Sequence, residues 1–241
     1  MNGESYDNSG AHREHRIETV DKKTLLFEVS VFLSLIVPSM VLSFFAVRQG
    51  ALTFTVTAWA TMLRDLALVG LIAYFLRRNG EPTCRLGWTF TNARTEVGIG
   101  LALFIPFFVG MGVLENSLRA AGFSMPSTPL PTYLRPESLP QSVLATLLVA
   151  VVAIAEETIF RGYLILRFKG LGASSAGAVA LSAFIFSLGH GYEGSAGVIT
   201  VGAAGLIFGM IYLWRRSLVG PVVLHFLLDF IGIVLAPMLR P

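Results

Sequence analysis

An all-α fold, a polytopic bundle of about seven transmembrane helices (six to eight), is predicted by three observations. The 241-residue chain is 54% hydrophobic and only 14% charged, where soluble domains carry about 25% charged residues. Its mean hydropathy is +0.69. Several apolar runs approach or exceed the ~20 residues that a helix needs to cross a bilayer. The net charge of +3 and the isoelectric point near 9.2 do not argue for nucleic acid, because Lys and Arg in such a chain mostly mark cytoplasmic loops. The single cysteine, Cys84, cannot form an internal disulfide, and no Cys-x-x-Cys or Cys/His zinc pattern occurs.

Three regions are expected: a polar cytoplasmic tail over 1–24, transmembrane spans with a long Pro-rich connection over 25–139, and a catalytic core over 140–238. The tail is too charged for a cleavable signal. The first span covers about 25–47, with a kink expected at Pro38 and Glu28 near enough to its start to reach the interface. The second, about 52–76, carries Arg64 and Asp65, expected to face the bundle and pair with other helices. The third runs over about 97–114. The connection that follows holds Pro126, Pro129, Pro131, Pro136 and Pro140. Connections of this length are usually functional or disordered. A segment near a substrate entrance and a passive linker are both consistent with it. The last four spans are expected at about 142–168, 173–190, 194–214 and 218–238. In the sixth, Gly202, Gly205 and Gly209 share a face suited to close helix packing. The distribution of Lys and Arg places the N-terminus in the cytoplasm and the C-terminus outside.

The fourth span contains Glu156-Glu157-Thr158-Ile159-Phe160-Arg161. A charge near the bilayer centre costs about 2.5–3.5 kcal/mol on insertion scales, so three of them mark a functional site by default. Glu157 and Arg161, four apart with the acid first, are spaced to form an ion pair. Adjacent helical residues point about 100° apart, so Glu156 faces elsewhere, with Val152 and Phe160 on its side. A carboxylate left without a partner can act as a general base. The fifth span ends in Phe186 and His190, and the seventh holds His225 and Asp229 at i, i+4. Intramembrane ionisable groups face the bundle interior or a water cavity, so these groups are expected to converge.

This inventory suits water activation. Glu156 and His190 can hold and deprotonate a water, and His225, steered by Asp229, can donate to an oxyanion. Ser187, three residues before His190, keeps a serine mechanism as a weaker option. A zinc site built from His190, His225 and Asp229 is the stronger rival, although no His-Glu-x-x-His is present. Two non-catalytic readings remain: a polar network that only holds a scaffold or immunity protein together, and an ion path through Glu156, Arg64 and Asp65.

Glu-Glu-xxx-Arg, Phe-xxx-His and His-xxx-Asp on successive helices, with Phe160-Arg161-Gly162-Tyr163-Leu164 and Ser217-Leu218-Val219-Gly220-Pro221 around them, resemble the CPBP family over about 140–238. That family comprises type II CAAX prenyl proteases and Abi bacteriocin-processing or immunity proteins. The resemblance implies an intramembrane peptidase acting on a peptide or protein substrate, lipidated in the prenyl proteases, in contact with membrane lipid. It implies a catalytic Glu156 with His190, an oxyanion pair at His225 and 229, and supporting Glu157 and Arg161. The family has been read both as metal-dependent and as glutamate-dependent, which leaves zinc as the alternative cofactor. Position 229 is Asp where the prenyl proteases have Asn, and an ionised Asp cannot donate to an oxyanion.

Overall fold

Every apolar run becomes helix, because a chain surrounded by lipid must satisfy its backbone polar groups within the segment. The computed structural model describes residues 20–48, 52–125 and 131–239. The tail up to residue 19, and Pro126 and Pro129 of the connection, lie outside the described residues. In order, α1 is Lys22–Arg48, α2 Phe54–Arg78, α3 Ala93–Ala120, α4 Leu139–Gly170, α5 Ser175–Leu188, α6 Gly194–Arg215 and α7 Val219–Leu239. There is no strand among the described residues. Pro38 and Pro106 sit inside continuous helices.

Six of the helices are long and apolar enough to cross a membrane. The fifth expected span is the exception. α5 has 14 residues, which at 1.5 Å per residue gives about 21 Å, short of the ~30 Å hydrocarbon core. Ser174 caps its start, accepting a hydrogen bond from Gly177 N at 3.0 Å. Gly189, His190 and Gly191 follow its end. The helix therefore stops part-way along the longer α4 and α6.

α5 packs on α6 through the glycine face read from the sequence. A Cβ on Gly205 would lie 3.0 Å from Ala183 Cβ, and one on Gly209 would lie 2.6 Å from Val179 Cγ1. Gly209→Leu should therefore overpack this seam, at a cost of about 1–3 kcal/mol. The check is a lowered melting temperature in detergent; an unchanged one would mean the face is not an internal seam. α3 approaches α7 as closely, with Gly100 against the Gly220 carbonyl.

Ion pairs gather one end of the bundle. Glu28 does not reach the interface as expected. It is fully buried, 3.2 Å from Arg167 and 3.5 Å from Arg78, and it accepts from Asn79 Nδ2 at 2.7 Å. Arg167, near the end of the expected fourth span, is buried as well and also pairs with Glu81 at 2.6 Å. Desolvated charges persist in such a place only when paired, and here each acid meets a cation from another segment. Arg215 grips Glu96 at 2.7 Å, and Leu218 N donates to the Gly87 carbonyl at 2.9 Å. The starts of α1, α3 and α7 thus meet the ends of α2, α4 and α6. Arg64 and Asp65 correct a further expectation. They pair with each other at 2.8 Å, Asp65 buried and Arg64 partly exposed. Adjacent Cβ atoms diverge, but the long Arg side chain folds back.

Candidate active site

The charges of α4 stand where that helix changes form. Glu157–Leu164 is a π-helical turn, and all eight of its residues are buried. Such turns shift the hydrogen-bond register, and they frequently occur at functional sites. Neighbours pin this one. Ser182 Oγ of α5 donates to the Phe160 carbonyl at 2.6 Å. Thr158 Oγ1 donates to the Ile154 carbonyl at 2.6 Å and accepts from Trp88 Nε1 at 3.1 Å. Gly162 faces the Leu86 carbonyl, with room for only a hydrogen: a Cβ would lie 3.0 Å from that oxygen.

Within the turn, Arg161 meets Glu157 at 3.0 Å, as the spacing predicts, though on π rather than α geometry. The guanidinium also lies 4.4 Å from the centre of the Phe186 ring and 4.9 Å from that of Phe208. A desolvated cation between two ring faces gains cation–π attraction. Phe186 was singled out in the sequence; Phe208 carried no signal there. From α7, His225 Nδ1 meets the same Glu157 oxygen at 2.8 Å. Its Nε2 lies 3.4 Å from Asp229 and 3.8 Å from Glu156. Five of the six predicted site residues therefore form one connected cluster. A second π turn, Phe230–Leu235, begins immediately after Asp229.

His190 joins the cluster through a cavity of about 1740 Å³, lined by Glu156, His190, His225 and Asp229 and also by Arg64 and Tyr192. Val152 and Phe160, the neighbours assigned to the Glu156 face, line it too. The short α5 is what allows this: a full span would carry His190 to the far end of the bundle. His190 Nδ1 lies 3.2 Å from the Phe186 carbonyl, and its ring is tilted against the Phe186 ring with centres 4.9 Å apart. When Nδ1 carries the proton and donates to that carbonyl, Nε2 is left as an acceptor. Glu157 and Arg161 are shut away behind this surface. The long connection supplies the outer wall through Thr132, Tyr133 and Arg135. Burial, then the charge of Glu193, pushes the Tyr133 hydroxyl up to about 12, so it remains a donor there.

The alternative zinc ligands do not form a metal cradle. Among the described residues, no group of three or more His, Cys, Asp and Glu is arranged to hold an ion. His225 turns both ring nitrogens toward carboxylates that already serve its own cluster.

This arrangement of an acid pair and two imidazoles on neighbouring helices agrees with a family match. Residues 138–231 match the Rce1-like family, type II CAAX prenyl endopeptidases. The resemblance drawn from the three motifs is thereby borne out over the segment that carries them. The Rce1-like segment supports protease activity of the CAAX type in general. Together with the six apolar spans, it makes the chain an integral, multi-pass membrane protein. α1, α2 and α3, with Arg64 and Asp65, lie outside the matched residues. No curated protein and no solved structure matches the chain.

Proposed function

We propose that the chain is an intramembrane endopeptidase in which Glu156 and His190 activate water over the shared cavity. The observation that carries this reading is the placing of a carboxylate, Glu156, 3.8 Å from the His225 imidazole on the wall of a cavity that His190 also lines. Glu157 is held by Arg161 and His225, whereas the one ion-pair distance found for Glu156 among the described residues is to His225 Nε2, at 3.8 Å.

The steps follow from the donors and acceptors. Water sits between Glu156 and His190 Nε2. Glu156 removes its proton as the oxygen attacks the peptide carbonyl, and the protonated carboxyl then gives that proton to the leaving amine. His225 donates to Glu157 through Nδ1. When protonated at both nitrogens it also offers Nε2–H to the oxyanion. Asp229 holds the His225 ring in place rather than donating to the oxyanion itself. The catalytic core proposed over 140–238 contains every one of these groups. A CAAX-type C-terminus is the substrate class that the match favours, and a lipid attached to it would meet the exposed apolar faces of the spans.

No step here passes through a metal. Peptide cleavage by the purified protein is therefore expected to survive prolonged treatment with a strong chelator. Activity lost on chelation and restored by zinc alone would overturn the glutamate mechanism and return His190, His225 and Asp229 to the role of ligands.

A further inference from the structure

One cation on the cavity wall has no part in water activation. Arg64 of α2 lines the cavity together with Glu156 and His190. α2 packs along α4, and Met62 shares a core cluster with Ala145 and Leu148. Further along, both helices meet Glu28, through Arg78 and Arg167. At 1.5 Å per residue, Arg64 stands about 21 Å back from Arg78, and Glu156 about 17 Å back from Arg167. The two side chains thus leave neighbouring helices at similar depth and line the same cavity.

Asp65 does not exhaust Arg64. Nε and Nη2 both go to Asp65 Oδ1, at 2.8 Å each. The two N–H groups on Nη1 lie outside that pair. The Arg64 side chain is 34% exposed, against 2% for Asp65. The buried acid keeps a cation in place within a span, where an unpaired one would be costly. The other two arginines of the wall differ. Arg119 reaches Glu115 at 3.9 Å, and both Arg119 and Arg135 are exposed. Arg64 is the one partly withdrawn from water, where a charge-assisted hydrogen bond is stronger.

A CAAX-type C-terminus brings an anion of its own, the terminal α-carboxylate. Taking that carboxylate into a cavity between membrane spans is costly unless a cation meets it. The planar guanidinium, with several N–H donors in a fixed fork, matches a carboxylate in shape and charge. We propose that Arg64 is a specificity-determining residue: it receives the substrate's C-terminal carboxylate through the N–H groups that Asp65 leaves, so that the cavity selects chain ends over internal peptide segments. The identity of the guest as a C-terminal peptide rests on the peptidase reading.

The test is a binding comparison on the full chain carrying Glu156→Gln, which removes the proposed base so that bound peptide persists. Two probes are compared: a fluorescent farnesylated peptide ending in a free carboxylate, and the same peptide ending in a carboxamide. The acid should bind roughly 10–100-fold more tightly than the amide, the range for losing one charged hydrogen-bond partner. Adding Arg64→Gln should bring the ratio to about one, by weakening the acid alone. Because Arg64→Gln strands the buried Asp65, Arg64→Gln with Asp65→Asn is the companion, and it should lose the preference equally. Asp65→Asn alone keeps the cation and should keep the preference. Equal binding of the two probes while Arg64 is present overturns the inference and leaves Arg64 to Asp65 or to a lipid anion. A preference that survives both Arg64 variants overturns it as well, and so does a failure of either probe to bind. Cleavage of the acid probe by the parent chain is followed alongside. Glu156-dependent cleavage without discrimination would remove the inference and spare the peptidase reading; discrimination without cleavage would do the reverse.

Discussion

Glu156→Gln is expected to lower peptide turnover by about 10²–10⁴-fold, the range a positioned general base contributes, while the melting temperature in detergent stays at that of the parent. The amide keeps the shape of the side chain but cannot accept the water's proton. Stability should hold because nothing is orphaned. Glu156 borders the cavity with its side chain 16% exposed, and its nearest basic atom lies 3.8 Å away. His225 retains Glu157 and Asp229. His190→Ala should behave alike, since His190 follows the end of α5, its ring is hydrogen-bonded to the nearby Phe186 carbonyl, and Ala keeps the backbone bonds to Ser187 and Glu193. Normal turnover by both variants would remove the catalytic assignment. A fall in stability with turnover intact would support the scaffold reading instead.

The parts of this site that the sequence disclosed are those where a residue's cost is local. Glu156, Glu157 and Arg161 stand out because any charge in an apolar run is costly wherever its partners are. The ion pair between Glu157 and Arg161 and the packing face at Gly205 and Gly209 follow from spacing along one helix. What stayed hidden depends on contacts between helices. The π turn is met by Ser182, Trp88 and the Leu86 carbonyl from two other segments, and none of these is near it in sequence. The run over 173–190 is as apolar as its neighbours, so composition did not disclose that α5 stops short. The pairing of Glu28 with Arg167 was invisible for the same reason: each residue, read alone, looks like a helix end reaching for water.

Arg161→Met is expected to destabilise the protein by about 3–5 kcal/mol, the usual cost of removing one partner from a buried ion pair. Glu157 is fully buried beneath it. Without Arg161 its carboxylate would keep only His225, and the guanidinium's place between Phe186 and Phe208 would be lost with it. The informative companion is Arg161→Met with Glu157→Met. Replacing both members of a buried pair with apolar side chains is often neutral, so the double variant should regain much of the lost melting temperature. It should not regain turnover, because His225 then has no acceptor at Nδ1 and only the longer contact from Nε2 to Asp229, at 3.4 Å, is left to orient the ring. Recovery of stability without recovery of cleavage separates the two tasks of the pair: neutralising each other inside the membrane, and aiming an imidazole. Recovery of both would mean that His225 needs no such support, and Asp229 alone would have to hold the ring.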